Sequence, residues 1–190
     1  SDGGFGIASD PWGNVYATGR VSNSSAAVDM DPGAGTDLFN APGSSNVGVL
    51  KLNSAGDYQW AKVYGASEEG ARGEGIVIDS AGDVYIAGKF SGMVDFGDET
   101  KKQDLTSAGE SDIFALNLDF SGNFGWARVM GGTLDDTGYA ICVDSSFDVY
   151  VAGRFEGTAD FDPDGDGFSL TTVGDGAGFV LRLRALDVVA

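Results

Sequence analysis

The sequence has no histidine, a single cysteine and only four prolines in 190 residues. Without histidine, and with Cys142 in an apolar stretch that reads as a buried strand, the usual general base and the thiol nucleophile are both missing. One cysteine also rules out an intrachain disulfide, so cysteine usage leaves the redox compartment open. Basic residues are scarce as well. Eleven Lys and Arg against 29 Asp and Glu give a net charge of −18, which repels nucleic-acid backbones and anionic membranes and favours cations as small partners. No apolar run approaches the roughly 20 residues a spanning helix needs, so membrane insertion is not expected, and no leader pattern is visible. The first residue is Ser1 rather than Met. That start reads as a processed or trimmed piece of a longer secreted polypeptide, although a recombinant product would look the same.

Glycine is abundant, at 31 residues, as many tight β turns require. The chain writes one pattern three times. GIASDPWGNVYATGRV from Gly6 to Val21, GIVIDSAGDVYIAGKF from Gly75 to Phe90 and AICVDSSFDVYVAGRF from Ala140 to Phe155 each give a short apolar strand, a turn entered by Asp, and a second strand carrying Val-Tyr-x-x-Gly. Their starts are about 65 to 70 residues apart, and Trp60 and Trp126 repeat at a similar distance. An all-strand period of this length points to propeller blades or a related β array.

Each unit continues in the same order. After the paired strands comes a polar excursion rich in Gly, Ser and Asp, which reads as a loop carrying at most a small hairpin. A third strand follows, then a turn, then a fourth strand containing the Trp. The expected strands are Phe5 to Ser9, Asn14 to Arg20, Val47 to Leu52 and Tyr58 to Tyr64 in the first unit. The second has Gly75 to Ile78, Asp83 to Lys89, Asp112 to Leu118 and Phe124 to Met130. The third has Ala140 to Val143, Asp148 to Arg154 and Gly178 to Leu183, with no counterpart of the Trp strand. The segment from Gly65 to Glu74 reads as an acidic return loop. The units span 5–74, 75–139 and 140–190 of one domain, 1–190.

Four short antiparallel strands per unit, with no helical periodicity, describe a propeller blade. Gly75 to Phe90, Val94 to Phe96, Asp112 to Gly122 and Trp126-Ala127 together are similar to the SBBP family of bacterial β-propeller repeats, and the first two strands alone also resemble NHL-type repeats. The resemblance implies an all-β fold of about three blades, the last incomplete, within a larger closed propeller. The chain departs from the pattern at Phe147, where the turn Gly belongs, and at Val47-Gly48-Val49, which replaces Asp-Ile-Phe. Propellers close with roughly four to eight blades, because an open stack leaves bare blade faces. Three ways of covering those faces stay open: further blades from the same longer chain, a second copy making a six-bladed ring, or stacking as a solenoid.

Up-and-down connectivity puts the excursions and the unit-to-unit connections at one end of the sheets, so that end is expected to hold most of the negative charge. The sharpest motif there is Asp162-Pro163-Asp164-Gly165-Asp166-Gly167-Phe168. Alternate carboxylates can converge on Ca2+, Gly permits the sharp turn, and the Phe168 carbonyl can complete the set, as in an EF-hand loop. The twelfth position is Val173 rather than Glu, so a closing ligand would come from Asp160, from Asp175 or from Asp135 and Asp136. Asp29, Asp31 and Asp37 make a poorer version of the site, with Pro32-Gly33-Ala34-Gly35 between them, and in the second unit Lys101 and Lys102 neutralise the acids directly. Asp, Gly and Pro also make ordinary solvated turns, and the sequence does not separate the two readings.

Trp60, Trp126 and the series Tyr16, Tyr85 and Tyr150 recur at equivalent places and read as packing between blades. Trp12 stands in a turn where the other units have Ala81 and Ser146, and an exposed ring there can meet a sugar or a partner. The pairs Asp135–Asp136 and Glu68–Glu69 are adjacent acids of the kind a glycosidase uses, but no apolar pocket is apparent to raise one of them. The expected function is a non-catalytic extracellular or cell-surface module, a scaffold or adhesion element stabilised by calcium, meeting a protein or glycan surface. A carbohydrate-binding module, a polysaccharide-active enzyme domain, or a subunit of a surface filament or layer are the alternatives.

Overall fold

The computed structural model describes residues 2–22, 27–40, 44–65, 70–162 and 167–184. They form β strands with no helix, in the order β1 (Gly3–Ser9), β2 (Val15–Val21), β3 (Val28–Asp29), β4 (Leu38–Phe39), β5 (Asn46–Leu52), β6 (Tyr58–Gly65), β7 (Gly70–Ile78), β8 (Val84–Ser91), β9 (Met93–Asp95), β10 (Asp104–Thr106), β11 (Asp112–Leu118), β12 (Phe124–Gly132), β13 (Thr137–Val143), β14 (Val149–Phe155), β15 (Thr158–Asp160), β16 (Ser169–Thr171) and β17 (Ala177–Leu183). Every named strand pair is antiparallel.

Two complete sheets run β1-β2-β5-β6 and β7-β8-β11-β12, and a third has three described strands, β13-β14-β17. Each excursion holds one short hairpin, β3–β4, β9–β10 or β15–β16, and β15 adds to the edge of β12 through Gly131 and Gly132. The eleven main strands expected from the repeats are all present. Their first strands begin earlier than expected, β7 at Gly70 and β13 at Thr137, so Gly70 to Glu74 is strand and not return loop. One residue bulges out of each first strand, Phe5, Glu74 or Tyr139, where the register shifts. The flanking glycines hid the start of the strand, because glycine is depleted in strands and weakens them.

The motif glycine of Val-Tyr-x-x-Gly is explained by the same bulge. A Cβ on Gly19, Gly88 or Gly153 would lie 2.0 Å from the carbonyl oxygen of Gly3, Arg72 or Thr137 respectively. No side chain fits where two backbones approach so closely.

The sheets pack face to face with the second in the middle. One of its faces, with Val84, Ile86, Phe114 and Leu116, meets Tyr16, Val47 and Val49 of the first unit. The other, with Tyr85, Ala87, Ile113 and Ala115, meets Val149, Val151 and Phe179 of the third. Period-two alternation sends neighbouring residues of β8 and β11 to opposite cores, so β11 is buried along its whole length. The first strands lie against one another. A Cβ on Gly6 would meet the Glu74 carbonyl at 3.0 Å, and one on Gly75 the Tyr139 carbonyl at 3.0 Å.

Cys142 is exposed, which corrects the buried position expected for it. Its neighbours Ile141 and Val143 turn toward the second unit, so Cys142 points to the opposite face of the third sheet, which no described segment covers. Phe147 adopts φ 63°, the left-handed conformation of Gly13 and Gly82 at the equivalent turns, and is the one such non-glycine among the described residues.

Candidate functional site

The excursion hairpins begin with Val28-Asp29-Met30, Val94-Asp95-Phe96 and Ala159-Asp160-Phe161. The apolar residues on either side turn inward: Val94 and Phe96 are fully buried, Phe96 against Tyr64 and Phe114, while Phe161 packs on Phe155 and Phe179. The central Asp turns outward and closes the hairpin. Asp160 Oδ1 accepts the N–H groups of Asp162 at 3.0 Å and Phe168 at 3.2 Å. Asp95 Oδ1 accepts those of Gly97 and Gln103, both at 2.9 Å, and Asp29 Oδ1 those of Asp31 at 3.1 Å and Asp37 at 2.9 Å. The second hairpin has no alternating run of carboxylates and uses its Asp in the same way. The bonds of Asp160 are therefore a feature of the repeat, as in an Asx turn.

Of the residues assigned to calcium, Asp164 and Asp166 lie outside the described residues. The Phe168 carbonyl accepts the Phe161 N–H at 2.9 Å. In the first unit Asp31 Oδ1 accepts the Gly33 N–H at 2.7 Å, and Asp37 Oδ2 accepts the phenol of Tyr58. Among the described residues no three acidic or sulfur side chains are grouped so as to hold a metal. Glu68 and Glu69 also lie outside the described residues.

The first two hairpins do not stay at the end of the sheets where they emerge. β9 lies against β6 and β10 against β12, and Asp98 Oδ2 accepts the N–H of Phe124, at the far end of β12. Asp37 likewise reaches Tyr58, the first residue of β6. Asp37 and Asp98, of the first two hairpins, therefore lie beside the fourth strands of their units, away from the end of the sheets where they were expected. The Thr100 hydroxyl and the Phe124 N–H hold the Asp98 carboxyl well below the usual range. A cleft of about 480 Å³ opens there, lined by Phe39, Lys62, Tyr64, Asp95, Asp98 and Asn123 among others.

A different set of acids is buried where the second and third units meet. Ser111 and Asp135 form a parallel bridge, and the Asp136 N–H donates to the Ser111 carbonyl at 2.8 Å. Asp135 pairs with Lys89 at 2.8 Å and with the Ser111 hydroxyl. Asp136 is wholly buried; its Oδ1 accepts the Glu156 N–H at 2.9 Å and its Oδ2 the Gly132 N–H at 2.7 Å. Asp112 is 2 % exposed, with Oδ2 accepting the Ala108 N–H at 2.8 Å and Oδ1 without a partner. Burial pushes the Asp112 carboxyl up to about 6, with the Asp136 charge adding to it. Burial also raises Asp136, against the two N–H groups that lower it. Asp135 and Asp136 are thus not two solvated acids: one is ion-paired and the other is enclosed. Reading the chain as exposed loops missed this pair. The sheet register corrects the expected alignment of this strand by one residue: Val21 pairs with Asn46 and Phe90 with Asp112, so Asn46, and not Val47, holds the Asp112 position in the first unit.

Trp12 is 57 % exposed and stands edge-on to Phe120 of the second unit, at 6.1 Å between ring centroids. Lys51, only 3 % exposed, donates to the Phe120 carbonyl at 2.9 Å and sits 3.3 Å from the centre of its ring. Trp60 and Trp126 stack tilted or edge-on against Tyr16 and Tyr85 of their own sheets.

No family model matches the chain. It is similar to the regulatory protein FlaEY of Caulobacter vibrioides, 31% identical over 159 residues, which is 80% of this chain and 16% of that protein. The chain therefore spans about a sixth of the length of the curated relative it matches.

Proposed function

We propose that this chain is a non-catalytic stretch of a β-propeller of SBBP-type repeats, a scaffold in an extracellular or cell-surface protein, with calcium stiffening its acidic hairpins. The observation that carries the reading is a cavity of about 280 Å³ on the outer face of the first unit, lined by Ala17, Val21, Met30, Gly48 and Leu50 with their neighbours. Their counterparts in the second unit, Ile86, Phe90, Phe96, Phe114 and Leu116, are fully buried in the core shared with the unit before. A preceding unit of the same design fills such a socket, and the third sheet offers its own far face, with Val180 76 % exposed, to a following one. Further blades from a longer chain are the favoured occupants.

The regulatory description of the Caulobacter relative favours a second reading, in which the same scaffold serves a regulatory protein. Protease shaving of intact cells, with the mass of the intact polypeptide, tests the first. Release of peptides from this sequence, from a chain carrying six or more units, supports it. Protection until lysis, or a chain of three units that stays monomeric, contradicts it.

A further inference from the structure

One residue of the second unit is gripped by three side chains of the first. Lys51 donates to the Phe120 carbonyl at 2.9 Å, and its Nζ stands over the Phe120 ring. Trp60 Nε1 donates to the same carbonyl at 3.4 Å, and Trp12 meets the ring edge-on. Phe120 lies in the turn between β11 and β12, so the second unit offers an aromatic residue of its last turn to a buried cation of the unit before it. An ammonium withdrawn from water is attracted to the face of such a ring.

The sheet register locates the same two positions in every unit. Lys51 pairs across the sheet with Tyr16, Asn117 with Tyr85 and Arg182 with Tyr150, so these three partners of the repeat Tyr are equivalent. Each is followed by a Leu paired with the Val that opens the second strand, and two residues beyond that Leu stand Ser54, Phe120 and Ala185. At the first joint cation and aromatic therefore occur together, as Lys51 and Phe120. At the second both are replaced, by Asn117 and by Ala185, which lies outside the described residues. Asn117 turns its Nδ2 to the Val84 carbonyl of its own sheet instead, at 3.4 Å.

Arg182 restores the cation on the far face of the third sheet. Its guanidinium carbon lies 6.0 Å from the centre of the Tyr150 ring, much as Lys51 Nζ lies 5.1 Å from that of Tyr16. Asp148 Oδ2 holds the guanidinium by its edge, through Nε and Nη2, and a guanidinium held by its edge still stacks on rings through its faces. The Arg182 side chain is half-exposed where Lys51 is buried, and what differs is that Lys51 has the turn of a following unit over it.

We propose that Arg182 and Tyr150 are the receiving half of a cation–aromatic grip, and that the unit seated on the third sheet carries Phe, Tyr or Trp at the position of Phe120. The inference rests on the reading of that face as the seat of a further unit, and it specifies the occupant by chemistry. A second copy of this chain does not qualify, because the socket it offers is on its first unit, where the corresponding residue is Ser54. Matching cation to aromatic fixes the order of units, since Arg182 set against Ser54 leaves the cation without its ring.

Sequencing of the intact native polypeptide by mass spectrometry reads the unit that follows. An aromatic residue at the Phe120 position is the expected result. A following unit with a non-aromatic residue there overturns this inference and leaves the blade reading standing, whereas a polypeptide in which no unit follows overturns both. The grip itself is measured by urea melts of Lys51→Met, Phe120→Leu and the double variant, substitutions that keep the bulk of each side chain. Because the bond to the carbonyl of residue 120 is the same in both backgrounds, the cycle isolates the ring. Lys51→Met is expected to lower the folding constant about tenfold more in the wild-type background than in the Phe120→Leu background. An equal loss in the two backgrounds overturns the proposal.

Discussion

Tyr16 donates its phenol proton to Asp10 Oδ2 at 3.1 Å, and the same bond at the same length joins Tyr85 to Asp79 and Tyr150 to Asp144. The other oxygen of each Asp accepts two backbone N–H groups at the turn between the first and second strands, as from Trp12 and Asn14 in the first unit. The Tyr of the repeat thus ties its strand to the turn that precedes it. Tyr85→Phe, in the middle sheet at 6 % exposure, is expected to cost about 1.5 to 3 kcal/mol, the range for a hydrogen bond to a charged group, and Tyr150→Phe less. Urea titrations of the two variants check the order; equal losses would contradict it.

Phe147 stands in the conformation that glycine adopts in the equivalent turns, at φ 63°. Its ring is 45 % exposed, so little packing offsets the strain. Phe147→Gly is therefore expected to stabilise the chain by about 1 kcal/mol, since the left-handed conformation costs a side chain roughly 1 to 2 kcal/mol. A higher urea midpoint with unchanged slope is the expected result.

Gly88→Ala is expected to do the reverse. Its methyl would lie 2.0 Å from the Arg72 carbonyl oxygen and 2.7 Å from the Phe114 ring, and neither can retreat from the middle sheet. A loss on the order of 3 kcal/mol or more is expected. A melting temperature near that of the wild type would show that the close approach at the bulge is not obligatory.

The pH profile of stability follows from opposing carboxyls. Burial pushes the Asp10 carboxyl up, and the bonds from Asn14, Tyr16 and Trp12 more than reverse it; at Asp119, burial is likewise outweighed by Asn123 and Ser121. Groups with lowered values contribute stability above the unfolded value of about 3.9 and lose it as the pH falls through their folded values. Asp112 is raised to about 6, so its contribution is full below about pH 4 and is lost as the pH climbs to 6. Maximum stability is expected between these limits, and denaturant melts every half pH unit locate it. An optimum at pH 8 would contradict the assignment.

Calcium gives a further test. Millimolar calcium is expected to raise the melting temperature and chelation to lower it, more in the wild type than in Asp164→Ala. An unchanged melt in both removes calcium from the account.

Much of the fold was legible because the pattern is repeated. The three Val-Tyr-x-x-Gly segments, the two Trp strands and the apolar runs of the third strands located all eleven main strands, and Phe147 was visible as a departure at a turn. The strands that started early were hidden by Gly70, Gly73 and Gly138, whose tolerance in a bulged ladder depends on the partner strand and not on the residue itself. The candidate site was less legible. Alternation in Val94-Asp95-Phe96 shows a hairpin with one buried side, but nothing local shows that it folds down the outer rim and carries Asp98 to Phe124. Adjacent Asp135 and Asp136 read as one acidic patch, whereas the chain turns one toward Lys89 and the other into the junction. Cys142 looked buried because its strand is apolar, and whether both faces of a strand are covered is decided by units distant in sequence.

Electron microscopy of the intact native polypeptide tests the account most directly. Blades that continue past both open faces are expected to give a closed disc with a central channel, in which the socket around Leu50 is filled by a neighbouring unit. An extended rod, or an isolated three-unit particle with that socket open to solvent, would contradict it.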